Sequence, residues 1–535
     1  MIPLNSTFAP LQALVDEWAR LGMRNVVTSP GSRNAPLILT LAERIPAVSV
    51  LDERSAGFVA LGMAKASGLP VAVTCTSGTA AANLLPAVAE ASEARVPLIV
   101  LSADRPPELR DTGAGQAIDQ VKLFGSAAKW FVEVGNHPPS RTTAVYYRSL
   151  ACRAWATAAA GRPGPVHLNF PLREPLQPTP EEGLEAEDWQ GRPDGRPWVE
   201  ATEAVLEPEQ MVVPGRGVIV AGTGADPAAA GAAERLRWPL LAEPTSGLRR
   251  EHPCVISHYD VLLRTARLDP PDLVVRFGDT PTSKTLREWL AGCDQLVVDP
   301  QGAWHEPTRS AARTVSAVTL EGSPAPEQWL RSWREADAIV APELDRVPEP
   351  FEAKAYAALA QEIDVAWVAS SMPIREVEAF MPPSPARFLA NRGANGIDGT
   401  ASSALGAAIA LDTRVHLLTG ELALLHDIGG LLAAKRHGFP LTVVVVNNGG
   451  GGIFDFLPLA EHAAPEIFEA HIATPAGVSI ERLAALLEVP HTLAANATEV
   501  RAAAGGAGIV ELRTDRADSV REHRELYDRV VAKLG

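Results

Sequence analysis

Two short stretches carry oxygen donors suited to a hard divalent cation: Gly420 and Glu421 in TGELALLHD, and Asn447 to Gly452 in VVVVNNGGGGIF. Glu421 offers a carboxylate, Asn448 a side-chain amide oxygen and the glycine run a backbone carbonyl. These are ligands Mg²⁺ prefers, with diphosphate oxygens and water completing the octahedron. Each group follows a short apolar, β-branched run (VHLLT, LTVVVV), the pattern of buried strands that stop at ligand-binding loops. Glycine lets the backbone approach a phosphate closely. An isolated NGGGG run reads more simply as a left-handed turn between strand and helix; the Gly420 strand end favours the metal diphosphate.

This pairing resembles the diphosphate-binding motif of thiamine-diphosphate (ThDP) enzymes, which normally begins Gly-Asp and closes on Asn-Asn. Here Glu421 stands in place of the Asp. Its extra methylene moves the carboxylate outward by ~1.5 Å, whereas Mg²⁺ holds its ligands at roughly 2.0–2.1 Å. Glu421→Asp is therefore expected to tighten metal and cofactor binding, and Mn²⁺ is an alternative ion. ThDP chemistry also needs a dry carboxylate on the cofactor's aminopyrimidine ring. Glu53, after the run VSVL and at the head of ERSAGFVALGMAK, is the candidate. Asp52 and Glu53 also fit the ordinary role of acids at a helix N-terminus; the metal motif tilts the choice to Glu53.

Arginines complete the chemistry. Arg33 in TSPGSRNAP, Arg105 in SADRPPEL and Arg392 in NRGANGIDG sit in loops after strand-like runs. Arginine there suits bidentate recognition of carboxylate or phosphate. Any one alone reads as a structural arginine, but three in like contexts point to an anion site.

The elements that must position these residues are α/β in pattern. From Asn25 to Phe170, runs such as VVTSP, VAVTCTSG, LIVLSADR and VHLNFP alternate with helical patterns, which predicts a mostly parallel sheet covered by helices. Pro171 to Pro214 and Arg334 to Pro350 read as linkers. Between them GVIVAGTGAD, DLVVRFGD and QLVVDP read as strands of a second unit. VAWVASS, VHLLTGE, LTVVVVNN and GIVELR mark a third. Gly222 and Gly224 make half a dinucleotide fingerprint, without the third glycine or a following acidic residue, and read as a tight turn with no ligand. The fold class expected is three doubly wound, mostly parallel-sheet α/β domains, at 1–175, 190–335 and 350–535. A length of 535 residues suits about three domains.

Composition bounds the function. Hydrophobic residues at 46% and charged residues at 21% describe a globular chain, and no apolar run reaches the ~18 residues of a membrane span. The N-terminus lacks the basic region of a signal peptide, so the expected location is cytoplasmic. Four well-separated cysteines without a CxxC argue against a disulfide framework or zinc site. A net charge of −16 opposes nucleic-acid binding.

The combination TSPGSR, DERSAGFVALGMAK, TSGTAAANLLPA, ADRPPEL, GQAIDQ, NRGANGIDG and NNGGGGIF resembles the 2-succinyl-5-enolpyruvyl-6-hydroxy-3-cyclohexene-1-carboxylate (SEPHCHC) synthases of menaquinone biosynthesis, a ThDP-dependent family. The likeness spans the first and third domains almost end to end. It implies aminopyrimidine-binding, central and diphosphate-binding domains, in that order. The implied reaction decarboxylates 2-oxoglutarate and adds the four-carbon unit to isochorismate in a 1,4 fashion. Both substrates are dicarboxylates, which accounts for the arginines.

Carried onto this chain, the resemblance implies Glu53 as the cofactor-activating acid and Glu421, Asn448 and the Gly450 carbonyl as metal ligands. Gly420 and Ile453 would contact the cofactor. Ser32, Arg33, Arg105, Gln116, Lys284, Ser371, Arg375 and Arg392 fall on substrate-side positions. Ser371 and Arg375 are spaced to share a helical face, though a helix cap with a surface arginine fits them equally. Gly115, where many relatives have Asn, and Thr285, where some have Arg, each remove a polar contact to substrate. The resemblance also implies that aminopyrimidine and diphosphate sites come from different chains, hence a homodimer at minimum and a homotetramer as the suggested state. Competing readings are an acetolactate-synthase-like 2-oxoacid enzyme, which needs fewer arginines, and a poorly active ThDP-fold regulatory protein, motivated by Glu421.

Overall fold

Residues 2–202, 205–264 and 268–534 are described in the computed structural model. The contacts group the chain into two compact units, one of Met1–Ala204, Asn391–Thr413 and His426–Pro440, the other of Val205–Ala390, Arg414–Leu425 and Leu441–Gly535.

In the first unit the β-branched runs form strands β1 (Val26–Thr28), β2 (Ala47–Ser49), β3 (Val71–Cys75), β4 (Leu98–Asp104), β5 (Trp130–Glu133) and β6 (Val166–Pro171). They pair in the order β2-β1-β3-β4-β6-β5, every pair parallel. β3, β4 and β6 are buried along their whole length, as expected of strands with helices on both faces. The helix Glu53–Ser67 starts where Asp52 accepts from the N–H groups of Arg54 and Ser55 and stops at Gly68, whose φ of 72° suits a residue without Cβ. Small residues along it allow close contact with the helix Thr400–Leu411. A methyl on Gly62 would fall 2.1 Å from the Ser403 carbonyl oxygen, and one on Gly406 2.1 Å from that of Val59.

In the second unit, strands β7 (Gly217–Ala221), β8 (Leu240–Ala242), β9 (Leu273–Phe277), β10 (Gln295–Val298) and β11 (Ala311–Val315) form a sheet of order β11-β10-β9-β7-β8. Strands β12 (Val365–Val368), β13 (Arg387–Ala390), β14 (Val415–Gly420), β15 (Leu441–Asn447), β16 (His491–Ala494) and β17 (Gly508–Arg513) form another, of order β13-β12-β14-β15-β17-β16. Numbered by appearance, the first and last sheets both run 2-1-3-4-6-5, and the middle sheet runs 2-1-3-4-5. The architecture is three doubly wound, parallel-sheet α/β domains. In each sheet the carboxyl ends of the strands gather on one edge, where such folds place their ligands.

Two segments need comment. The Gly222 turn after β7 is explained by packing, because a Cβ there would lie 1.8 Å from the Asp279 carbonyl oxygen. Arg334 to Pro350, read as a linker from its prolines, is instead largely helical. The helix Val340–Asp345 buries Val340, Glu343 and Leu344, and Glu343 pairs with Arg346, Arg529 and Lys533. Buried apolar residues between the prolines override the composition signal. Among the described residues no helix is long and apolar enough to cross a membrane.

Candidate active site

At the carboxyl edge of the first sheet, the segment after β1 carries Ser32, exposed, and Arg33, 8% exposed. Arg33 Nη1 donates to the Leu172 carbonyl at 2.8 Å, just beyond β6, and Nη2 lies 3.2 Å from Glu174. Burial and the nearby Arg105 cation both lower the Arg33 pKa. Arg105, directly after β4, donates from Nε and Nη2 to the Gly115 carbonyl at 3.0 and 2.9 Å. The next residue, Gln116, is exposed with φ of 57°; its backbone abuts Gly78, where a Cβ would lie 3.4 Å from the Gln116 carbonyl oxygen. Gln120 locks this arrangement, accepting from Gly78 N–H and donating to Ala103 and Asn169.

Glu53 lies just beyond β2 as the first residue of its helix. Asp52 performs the capping, so the ordinary helix-start explanation belongs to Asp52. Burial raises the pKa of the half-buried Glu53, and the Asp52 charge adds to it. The Arg392 loop is half-buried and held by Glu90, whose carboxylate accepts from the N–H groups of Gly393 at 2.9 Å and Ala394 at 2.6 Å.

The edge of the last sheet gathers the metal-motif residues. β14 ends at Gly420, and Glu421 opens the next helix, 5% exposed. Its Oε1 accepts from Gly450 N–H at 2.6 Å. Burial raises its pKa, opposed by its own, Gly450 and Asn448 N–H groups and by Arg516. Beyond β15, Gly449 and Gly450 take φ of 74° and 151°, conformations favouring glycine. Gly449 N–H donates to Asn447 Oδ1, Gly451 N–H to the Ala473 carbonyl and Gly452 N–H to the Gly450 carbonyl. Every glycine N–H of the loop is thus engaged internally. What the loop offers is acceptors: the second lone pair of Gly450 O, and Asn448 Oδ1, which is buried and has no hydrogen-bond partner.

A carboxylate, an orphaned amide oxygen and a carbonyl are hard acceptors, the opposite of an anion nest, and their chemistry fits a divalent metal. Ile453 is half-buried in the turn Gly452–Phe456 that follows. Among the described residues no cluster of three His, Cys, Asp or Glu could hold a metal, so any metal here depends on amide and carbonyl oxygens.

Three substrate-side candidates are also in the second unit. Ser371, with φ of 76°, precedes the helix Met372–Phe380, and its side chain makes no cap. Its carbonyl accepts from Arg375 Nη1 at 2.5 Å, which brings the pair together. Lys284 begins the helix Lys284–Leu290, is exposed, and lies 3.4 Å from Glu288.

Sequence reasoning missed Glu90, Asp427 and Arg516. Glu90 is a lone acid on the buried face of the helix Leu85–Glu93, and that position was a usable signal. Asp427, fully buried, accepts from Ser402 N–H at 2.7 Å and Oγ at 2.9 Å, next to Ser55 Oγ at 3.4 Å; burial pushes its pKa up to about 6.

Comparison with known proteins gives the family of the chain. Residues 11–123 match the thiamine pyrophosphate enzyme N-terminal TPP binding domain, 185–365 the middle domain of thiamine pyrophosphate enzymes, and 370–508 the C-terminal TPP binding domain. Fold and site therefore define a thiamine pyrophosphate (diphosphate) enzyme. The chain is 45% identical to SEPHCHC synthase of Thermobifida fusca (strain YX), covering 99% of this chain and 100% of that one. It is 42% identical to the synthase of Geobacillus thermodenitrificans (strain NG80-2), over 98% and 96%, and 40% identical to that of Myxococcus xanthus (strain DK1622), over 98% and 97%. The chain belongs to the SEPHCHC synthase family.

Proposed function

We propose that this protein joins 2-oxoglutarate to isochorismate with loss of CO₂, giving SEPHCHC in menaquinone biosynthesis. The observation that carries the site reading is the orphaned, buried Asn448 Oδ1 in the loop whose Gly450 N–H bonds the buried Glu421 carboxylate at the strand ends. Thiamine diphosphate, when bound, supplies the electron sink that makes decarboxylation of a 2-oxoacid feasible. Glu421, Asn448 and Gly450 hold its Mg²⁺ or Mn²⁺, with Gly420 and Ile453 beside them. Glu53, whose pKa is raised by burial, holds and releases a proton at its carboxyl oxygen.

Arg33 and Arg105, with Arg375 and Arg392, pair substrate carboxylates, helped by Ser32, Gln116, Lys284 and Ser371. Four carboxylates on two substrates need that many donors in a partly dry cleft. The matched ranges support aminopyrimidine-binding, central and diphosphate-binding domains near 1–175, 190–335 and 350–535. The working form is a homodimer at minimum and a homotetramer in full, and it acts in the cytoplasm without nucleic-acid or membrane partners. An acetolactate-synthase-like activity is disfavoured by the named synthases that match at full length.

The test is loss of isochorismate absorbance with purified protein, ThDP, 2-oxoglutarate and Mg²⁺ or Mn²⁺. Consumption that needs every component and disappears in Glu53→Gln is expected. ThDP binding without consumption under either metal overturns the assignment.

A further inference from the structure

The glycine loop is braced from a direction the motif does not reveal. Arg516, the first residue of the C-terminal helix Arg516–Lys533, runs along it. A methyl on Gly450 would fall 3.2 Å from Arg516 Nη1 and 3.4 Å from Cζ, and one on Gly452 3.6 Å from Cγ. Nη2 donates to both oxygens of Glu469, at 2.9 and 2.7 Å. Glu469 begins a π-helical turn, Glu469–Ala473, whose last carbonyl accepts from Gly451 N–H at 2.7 Å. Single π turns of this kind often mark functional sites. The glycines thus lie against the Ala473 carbonyl and the Arg516 guanidinium, with Glu469 joining the two supports. Arg516 Nη1 is buried and makes no hydrogen bond; Asp455 Oδ2 lies 3.8 Å from it, also buried and without a hydrogen bond. Asp455 shares its turn with Ile453.

We propose that Arg516 is a positioning residue for the cofactor's metal-bearing loop. Its planar guanidinium, fixed by Glu469, holds the Gly449–Gly450 backbone so that Asn448 Oδ1 and Gly450 O face one point. The inference rests on reading Asn448 and Gly450 as metal ligands. Its consequence is specific: Arg516 sets affinity for the metal and diphosphate, not turnover. A lysine keeps the charge and could reach Glu469, but it has no planar group to lay against Gly450 as Nη1 and Cζ do, so geometry and charge are separable.

The experiment is equilibrium titration of ThDP at fixed Mg²⁺, followed by tryptophan fluorescence or calorimetry, on wild type, Arg516→Ala, Arg516→Lys, Glu469→Gln and Asn448→Ala. Arg516→Ala and Arg516→Lys are expected to raise the ThDP Kd at least tenfold, with kcat at saturating cofactor and the 2-oxoglutarate KM within threefold of wild type. Glu469→Gln leaves the guanidinium in place but weakens its anchor, and should raise the same Kd three- to tenfold even if the arginine variants do not fold. Unchanged ThDP affinity in folded Arg516→Ala, with Asn448→Ala impaired, overturns this inference alone. A fall in kcat at unchanged ThDP affinity does the same. Unchanged affinity in Asn448→Ala overturns the metal-loop reading and this inference with it.

Discussion

Replacing Glu421 by Gln separates charge from shape at the centre of the proposed site. The Gln carbonyl oxygen can still accept from Gly450 N–H, now 2.6 Å from Glu421 Oε1, so the loop keeps its form. The negative charge is lost, and one of the two acceptor oxygens becomes an amide NH₂. A charged interaction of this kind contributes about 1.5–3 kcal/mol, or roughly 10- to 150-fold in metal-dependent ThDP affinity. The metal-free protein should respond in the opposite sense. Burial raises the Glu421 pKa above its unfolded value, so at neutral pH the ionised group weighs against the fold, and its removal leaves Tm unchanged or higher. By linkage, ligand at 100 times Kd stabilises the wild type by about 2.7 kcal/mol; the same concentration stabilises a variant with 100-fold weaker binding by only about 0.4 kcal/mol. Thermal unfolding with and without Mg²⁺ and ThDP reads both effects. Equal cofactor stabilisation of wild type and Glu421→Gln would show that the carboxylate is not a metal ligand, and a lower metal-free Tm would show that its charge is structural.

His523 is 1% exposed, with Nε2 3.0 Å from Glu376 Oε1 and Nδ1 2.7 Å from the Ser519 carbonyl. Burial alone lowers its pKa, but the Glu376 carboxylate outweighs it and pushes the value up to about 9. The stability it contributes is complete below about 6.5 and is lost as pH rises through about 9, so Tm should fall across that window in wild type and much less in His523→Gln; equal slopes would refute the pairing. Arg105→Lys cannot donate twice to the Gly115 carbonyl, so substrate KM should rise about tenfold or more while ThDP titration stays unchanged, measured by steady-state kinetics beside the binding assay.

The legibility of the sequence follows burial. The runs that become β3, β4, β6, β7, β14 and β15 are buried almost throughout and mainly apolar because both faces are covered, and their pattern announces them. Seven strands give no such signal: Trp130–Glu133, Glu209–Val212, Leu240–Ala242, Ala311–Val315, Val318–Glu321, Arg387–Ala390 and His491–Ala494. Each is an outermost strand of its sheet. Ala311–Val315 is exposed over its three central residues, and Trp130–Glu133 is half-buried throughout. An edge strand pairs on one side only, so little in its side chains is dictated by the sheet. The site shows the same division. Glu53, Glu421 and Asn448 stand in sequence beside the strands that place them. Glu90 and Arg516 reach their loops from helices roughly 300 and 65 residues away in the chain, and only the tertiary fold brings them there.

The same contrast reverses one expectation. From bond lengths alone, shortening Glu421 to Asp should improve metal geometry, because the usual motif carries Asp. The structure shows that the longer side chain is already engaged: Oε1 holds Gly450 N–H, and Gly450 supplies the carbonyl proposed to share the metal. Withdrawing the carboxylate by ~1.5 Å breaks that bond and leaves a buried N–H without an acceptor, which costs about 1–3 kcal/mol. That penalty falls on a residue whose φ of 151° and contact with Arg516 leave it little room to adjust. The loop is shaped around glutamate, so a better carboxylate distance comes at the expense of the carbonyl ligand. Glu421→Asp is therefore expected to bind Mg²⁺ and ThDP no more tightly than wild type, and up to tenfold more weakly. Parallel titrations with Mg²⁺ and Mn²⁺ decide it; clear tightening with either ion would show that Glu421 is not what holds Gly450 in place.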